Sequence, residues 1–328
     1  LDALSEGRTT SLKLDVTGIS PSQAPVTLQF DPSRYGTGAP LRRPAFLPIV
    51  ASHALAAMMA RKASGSIQGM VVEGSNAGGH NAPPRGAPTF DDLGQPVYGD
   101  RDLPDLDAIR ELGLPFWIAG GVTSPARMAD ALATGAAGVQ IGTLFAFCRE
   151  SGIDPKLRQR VIEMARRDQA RVFTDPRASS TGYPFKVVPV AGTISEQDVY
   201  LRRTRVCDLG YLREAYRTES GAVGYRCASE PVETYLKKGG RLEDTEGRKC
   251  LCNGLTATIG LGQSQRWGGV ELPIVTSGDD LPAIRALLGE EGTDYGADDV
   301  IDYLLPAEAS SRSVSPPGSA LPTPAFQG

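Results

Sequence analysis

The chain has 328 residues, of which 41% are apolar and 22% charged, as expected of a globular protein with a sizeable core. The formal net charge is -4 with both signs interspersed, which excludes the basic footprint of a nucleic-acid-binding protein. No apolar run reaches the ~20 residues needed to cross a bilayer, and no secretory leader opens the sequence. We therefore expect a cytoplasmic protein that acts on a small-molecule substrate. Because the chain begins at Leu1 rather than Met, we also expect it to be part of a longer protein.

Residues 1–45 form a lead-in that predicts a β-hairpin. Apolar and polar residues alternate over 12–16 and again over 26–30, with a turn-like stretch between them. This alternation is typical of strands with one buried face, so we expect a half-buried hairpin within residues 8–35.

Short apolar runs then alternate with helical segments. The predicted strands are 46–50, 70–74, 116–119 and 138–142, and the predicted helices between them are 54–63, 106–112 and 125–135. Ser124 and Pro125 supply an N-cap and a first-turn proline to the last of these helices. Largely apolar strands separated by helices are typical of a parallel sheet covered on both faces. We expect the strands to lie side by side in chain order.

Four such strands are half of a (β/α)8 barrel, which takes eight strands in roughly 250 residues. They form either an open sheet or, as we favour, the C-terminal half of a TIM barrel over residues 46–190. Residues 191–306 predict a helical and loop-rich extension that contains cysteines, and the Ser- and Pro-rich residues 307–328 predict a disordered tail. Unpaired sheet edges favour association, so a homo-oligomer is one expectation.

The segment VVEGSNAGGH carries the strongest chemical signal. Its strand runs into Gly78 and Gly79, which would let a flat or anionic ligand approach the backbone, and then into His80. A histidine at the active face of a barrel is a candidate proton acceptor. The alternative is a glycine turn with an incidental surface histidine.

Two later strands also end in small residues. Gly120 and Gly121 follow one strand, and Gln140, Gly142 and Thr143 lie at the end of the next. Backbone N–H groups there, with the positive end of a following helix, can hold a phosphate. The alternative is that these glycines only allow a helix to pack closely.

These segments resemble one known family. EGSNAGGH and IAGGVTSPARMADALATGAAGVQIGT, in this order, are similar to the FMN-dependent nitronate monooxygenases (2-nitropropane dioxygenases) over about residues 46–150. TGYPFKVV, CDLGYLR and CLCNGLTATIGLGQ resemble a long-chain branch of that family and extend the likeness to about residue 280. The resemblance implies FMN as cofactor, with His80 beside the flavin. It implies as cofactor-binding residues Gly78, Gly79, Gly120, Gly121, Gln140, Gly142 and Thr143.

The resemblance also implies a reaction. An enzyme of this family oxidises alkyl nitronates with O2 to a carbonyl compound and nitrite, with His80 as base for a neutral nitroalkane or as a contact for the nitronate charge. An FMN-dependent, NAD(P)H-driven reductase of enoyl thioesters or quinones is the first alternative, because such enzymes share the half-barrel. A truncated, non-catalytic remnant that binds phosphate or a partner subunit is the second.

The cysteines leave two possibilities open. Cys207, Cys227, Cys250 and Cys252 could supply four thiolates to a structural zinc ion, or they could be unpaired thiols. Cys148 lies apart from them on a predicted helix, and we expect it in the core.

Two further residues are weaker candidates for the active face. His53 follows the first predicted strand and could touch substrate, although packing or capping is the simpler role. Lys186 lies in a restricted loop that could cover the flavin or the substrate mouth, but an exposed lysine is usually solvated surface.

Overall fold

A computed structural model describes residues 1–18, 24–36, 41–266, 268–288 and 292–306, so the predicted tail lies outside the described residues. In these ranges the strands are β1 Thr10–Leu14, β2 Val16–Thr17, β3 Val26–Phe30, β4 Ile49–Val50, β5 Met70–Glu73, β6 Phe116–Ala119, β7 Gly138–Gln140, β8 Phe173–Asp175, β9 Phe185–Val187, β10 Glu214–Arg217 and β11 Val223–Arg226. The α-helices are α1 Asp2–Ser5, α2 His53–Lys62, α3 Leu106–Arg110, α4 Pro125–Ala133, α5 Thr143–Ala146, α6 Pro155–Arg166, α7 Gln197–Arg202, α8 Val232–Lys237, α9 Leu251–Thr258 and α10 Ala297–Leu304. Short 3-10 helices cover Pro32–Arg34, Asp100–Asp102, Leu242–Thr245 and Leu281–Leu287.

The central sheet has the order β4-β5-β6-β7 with every neighbouring pair parallel. Val72 lies opposite Val50 on one side and opposite Ile118 on the other, and Ile118 in turn lies opposite Val139. The prediction of four parallel strands in chain order is confirmed, and the protein is a mixed α/β protein.

Strand β4 is shorter than the predicted strand 46–50. Pro48 has no backbone N–H and cannot complete a ladder, although its carbonyl accepts a hydrogen bond from Val71 N at 2.9 Å. The pairing therefore becomes regular only at Ile49.

The helices cover one face of the sheet. Met70, Val72 and Phe116 are fully buried and pack with Ala56 of α2 and Ile109 of α3 in one apolar cluster. Successive side chains of a strand point to opposite faces. Glu73, which follows Val72, therefore points away from this cluster at the carboxyl end of β5.

A larger hydrophobic cluster contains residues from both sides of position 190, the predicted boundary between the half-barrel and the extension. Val161 of α6 and Val190 are fully buried against Val275, Ile284 and Val300 of the later segment. Residues on both sides of the boundary thus share one hydrophobic core.

The predicted hairpin is confirmed, because β1 and β3 pair antiparallel with Leu12 opposite Leu28. Its half-buried face is not, since Leu12 is 64% and Leu28 50% exposed. Alternation shows which side chains share a face, but it does not show whether another layer covers that face.

The extension contains strands that the sequence did not predict. Strands β10 and β11 pair antiparallel, and β2 of the lead-in joins β10 in parallel, Val16 opposite Ala215. None of the described helices is long and apolar enough to span a membrane.

Candidate functional site

The loop after β5 is held against the end of β6. Gly74 N donates to Ala119 O at 3.1 Å, and the Asn76 side chain lies beside Gly120 and Gly121. A Cβ at Gly120 would lie 2.5 Å from Asn76 Oδ1, and Gly120 also has a φ of +88°. Both the close approach and the left-handed backbone require glycine at this strand end.

A distant segment, residues 276–280, forms the opposite wall. Thr276 Oγ1 accepts a hydrogen bond from Gly79 N at 2.9 Å, and Asp279 N donates to Asn76 O at 3.0 Å. A Cβ at Gly78 would lie 2.8 Å from the carbonyl carbon of Ser277. Gly78 is therefore needed for the wall to pack against the loop.

The start of α5 joins the same wall. Thr143 Oγ1 donates to Asp280 Oδ1 at 2.6 Å and accepts from Gly278 N at 3.2 Å. The ends of β5, β6 and β7 and residues 276–280 thus meet at one edge of the sheet.

These segments enclose a cavity of about 290 Å³, which we call the strand-end cavity. Its lining includes all seven of the predicted cofactor-binding residues: Gly78, Gly79, Gly120, Gly121, Gln140, Gly142 and Thr143. It also includes residues that sequence reasoning missed: Asn76, Thr276, Ser277, Gly278 and Asp280. The sequence contains a signal that could have identified residues 276–280. The apolar residues 273–275 are followed by Thr-Ser-Gly, just as the predicted strands are followed by small residues.

The titratable residues that line the cavity are both acidic. Glu73 lies on β5 and Asp280 on the wall, and burial raises the pKa of each carboxyl group. The hydrogen bond from Thr143 opposes this rise at Asp280. No lysine or arginine belongs to the lining that the described residues form.

His80 lies just beyond the cavity and is not one of its lining residues. His80 Nε2 is 2.7 Å from Ser179 Oγ, and that hydroxyl is 2.8 Å from Thr181 Oγ1. The ring meets Phe185 edge-on with 4.9 Å between the centroids. Burial lowers the pKa of His80, which favours the neutral imidazole.

Sequence comparison assigns the region that contains this site. Residues 38–180 match the protein-family model described as nitronate monooxygenase. This segment is similar to the nitronate monooxygenase family. The family segment includes β4 to β7 and His80, whereas residues 276–280 lie outside it.

Two curated bacterial relatives match parts of the chain. A probable nitronate monooxygenase from Bacillus subtilis is 37% identical over 94 residues, which are 29% of this chain and 25% of that protein. A nitronate monooxygenase from Paraburkholderia phytofirmans is 39% identical over 105 residues, 31% of this chain and 26% of that protein. The chain therefore spans about a quarter of the length of these relatives.

Among solved structures, FabK from Thermotoga maritima is similar over 84% of this chain and 62% of its own. The TM-score is 0.44 and the sequence identity 18%.

The structure corrects the surface interpretation of Lys186. Its side chain is 2% exposed, and Nζ donates to Thr174 Oγ1 at 2.7 Å and to Asp279 Oδ2 at 2.6 Å. Lys186 lines a second cavity, of about 470 Å³, together with Tyr98. Burial, with the nearby Asp102 and Asp279 carboxylates, raises the pKa of Tyr98 to about 12.

His53 is the first residue of α2 and is exposed. The helix is capped by Ser52, whose side chain accepts from Leu55 N at 3.1 Å. His53 is therefore not the capping residue, and it does not line the strand-end cavity.

The cysteines do not form a metal centre in the described part of the chain. No group of three or more His, Cys, Asp or Glu side chains there is arranged to hold a metal ion. Cys207 Sγ accepts a hydrogen bond from Arg213 Nε at 3.4 Å, whereas Cys250 Sγ lies against Val206 O at 3.7 Å. Of the two possibilities, free thiols fit the structure. Cys148 is buried in the large cluster, as predicted.

Proposed function

We propose that the protein is a flavin oxidoreductase that oxidises alkyl nitronates with O2 to a carbonyl compound and nitrite. In this proposal the parallel sheet is half of a (β/α)8 barrel, and the strand-end cavity holds FMN. One observation carries it: all seven residues that the family motifs nominate for cofactor binding line one cavity, at the edge where barrel enzymes place their active sites.

The residues of the cavity fit most of such a ligand. The missing Cβ atoms of Gly120 and Gly121 leave room for the Asn76 side chain, which lines the cavity, and a Cβ at Gly142 would meet open space. Ser277 Oγ is buried without a hydrogen-bond partner among the described residues, so it can bond to a ligand hydroxyl or carbonyl. A flavin has both kinds of group. The acidic lining is the feature that does not suit a phosphate.

When bound, FMN would supply the redox chemistry, and this chain would supply orientation and proton transfer. The glycines in the loop after β5, Gly78 and Gly79, would hold the ring system close to the backbone. A neutral nitroalkane must lose the proton on its α-carbon to become a nitronate. We assign this proton to His80, whose lowered pKa keeps the imidazole neutral and able to accept it. The hydrogen bond with Ser179 would fix the orientation of the ring.

The substrate in this proposal is a small molecule, and neither nucleic acid nor a membrane takes part. The acidic lining disfavours a nucleic-acid backbone at the cavity, since like charges repel there.

Anaerobic titration tests the proposal. Protein reconstituted with FMN is mixed under argon with ethylnitronate or with NADPH, and the flavin absorbance is followed. We expect ethylnitronate to reduce the flavin and O2 to restore it with release of nitrite. Reduction by NADPH alone would instead establish the reductase alternative.

A matched pair of histidine variants tests the assignment of the base. His80→Ala should impair the reaction while His53→Ala leaves it unchanged, because only His80 lies beside the strand-end cavity. Equal effects of the two variants would contradict the assignment.

A further inference from the structure

The carboxylate of Asp280 lies where the strand-end motifs predict a phosphate. Thr143 Oγ1 donates to it at 2.6 Å, and hydrogen bonding from the Gly121 backbone is one of the causes that lower the pKa of this carboxyl group. Both donors belong to the segments that were expected to bind an external anion. The protein thus carries its own anion between the end of β6 and the start of α5.

The charges around this carboxylate are unfavourable for a second anion. Glu73 faces the same cavity from β5, and Asp279 precedes Asp280 in the wall. Lys186 of β9 is paired with Asp279 and lines the other cavity, so it does not offset these charges. If a phosphate bound to Thr143 and Gly121 while Asp280 was ionised, the two negative charges would repel each other at close range.

We infer that Asp280 determines which ligands the strand-end cavity accepts, because its carboxylate occupies the anion position between Gly121 and Thr143. A ligand that ends in a phosphate monoester must displace or neutralise this carboxylate, whereas a ligand without a phosphate need not. The inference rests on the proposed function, in which the occupant is FMN. It predicts that the charge of Asp280 sets the preference between FMN and riboflavin, which lacks the phosphate.

The direction in which FMN affinity changes with pH distinguishes this arrangement from an ordinary anion-binding site. An ordinary site binds the phosphate dianion better than the monoanion, so affinity falls as pH drops through the second phosphate pKa near 6. Here burial raises the pKa of Asp280 above that of a free aspartate, and neighbouring Asp279 adds to the rise. Protonation of Asp280 removes its negative charge, so FMN affinity should increase as pH falls. Glu73 and Asp279 oppose a bound phosphate and change the magnitude of this trend but not its direction.

The experiment compares FMN and riboflavin on wild type and Asp280→Asn, with flavin fluorescence as the measure of equilibrium affinity. Asparagine has nearly the same shape and can still accept from Thr143, but it carries no charge. We expect Asp280→Asn to bind FMN at least about tenfold more tightly at pH 7.5 and to leave riboflavin affinity within about threefold. Asp130→Asn, which removes an exposed carboxylate on α4, should change neither affinity.

Two outcomes would overturn the inference. Equal weakening of FMN and riboflavin would show that Asp280 binds the part common to both ligands. Unchanged FMN affinity would show that the phosphate lies elsewhere. If Asp280→Asn fails to fold, the FMN affinity of the wild type is measured as a function of pH instead. An affinity that decreases as the pH is lowered would contradict the inference.

Inorganic phosphate separates this inference from the proposed function. If no flavin binds to either protein, the flavin proposal fails. Phosphate should still raise the melting temperature of Asp280→Asn more than that of wild type. No difference between the two proteins in phosphate would overturn the inference as well.

Discussion

At the scale of single residues, the surroundings of His80 determine its protonation state and the orientation of its ring. Its ring is half-buried against Phe185, and Nε2 is engaged by Ser179. Both contacts come from a segment about a hundred residues further along the chain. Neutral imidazole in a fixed orientation suits a proton acceptor better than a charged contact for the nitronate.

Substrate comparison separates these two roles. His80→Gln should lower kcat/KM for nitroethane by about 100-fold, within the range of general-base contributions, and lower it far less for preformed ethylnitronate. Steady-state oxygen consumption measures both values. Equal losses on the two substrates would show that His80 contacts the nitronate rather than removing the proton.

Gly120 shows how a residue is constrained by its neighbours as well as by its backbone. It shares a positive φ with Gly86, +88° against +90°, but the two differ in what an alanine Cβ would meet. At Gly120 the Cβ would have Asn76 and Ala77 within 4 Å, whereas at Gly86 it would have nothing within that distance. The pair therefore separates backbone strain from crowding.

We expect Gly86→Ala to lower the free energy of unfolding by about 1–2 kcal/mol through backbone strain alone. Gly120→Ala should lower it by about 1–3 kcal/mol more, through overpacking. Urea unfolding followed by circular dichroism measures both. Equal losses would mean that Asn76 moves away without penalty.

At the scale of elements, α4 shows how local signals place a helix. Ser124 Oγ accepts from Arg127 N at 3.2 Å, and Pro125 occupies the first turn. Both features were predicted from the sequence, because a cap involves residues only three positions apart. The helix connects β6 to β7, so its start helps to position Gly120 and Gly121.

Ser124→Ala should destabilise the protein by about 1 kcal/mol, because Arg127 N loses its acceptor. Ser124→Asp keeps an acceptor at this position and should restore most of the stability. The measurement is the midpoint of thermal unfolding for the three proteins. A Ser124→Asp protein as unstable as Ser124→Ala would show that the cap contributes little here.

At the scale of the whole molecule, the large apolar cluster joins distant parts of the chain. Ile284 is fully buried in this cluster with Val161 and Val190, and residues 276–280 next to it hydrogen-bond to the loop after β5. We therefore expect the central sheet and the later segment to unfold together.

Ile284→Ala should lower the free energy of unfolding by about 2–5 kcal/mol, as for other buried Ile-to-Ala changes. Ile301, which is 46% exposed on α10, provides the control, and its replacement by alanine should change stability by less than about 0.5 kcal/mol. With Trp267 replaced by Phe, Trp117 of β6 is the sole tryptophan and reports on the sheet. If Ile284→Ala does not shift the unfolding transition that Trp117 reports, the central sheet and the later segment unfold independently.

The amino-acid sequence alone determined the order of the parallel strands, the helices between them and the small residues at the strand ends. Those features arise from apolar runs, caps and glycines within short stretches of chain, where the physical cause and its effect are close in sequence. The strand-end position of Gly78, Gly120 and Gly142 follows from the same local patterns.

Only the tertiary structure decided what surrounds those strand ends. The contact of Gly79 with Thr276 joins residues 197 positions apart, and that of Thr143 with Asp280 joins residues 137 apart. Such pairings depend on how whole elements pack, and no local pattern encodes them. For the same reason the burial of Lys186 and the exposure of Leu12 could not be read from the residues themselves. Whether a side chain is buried depends on which other segments pack over it.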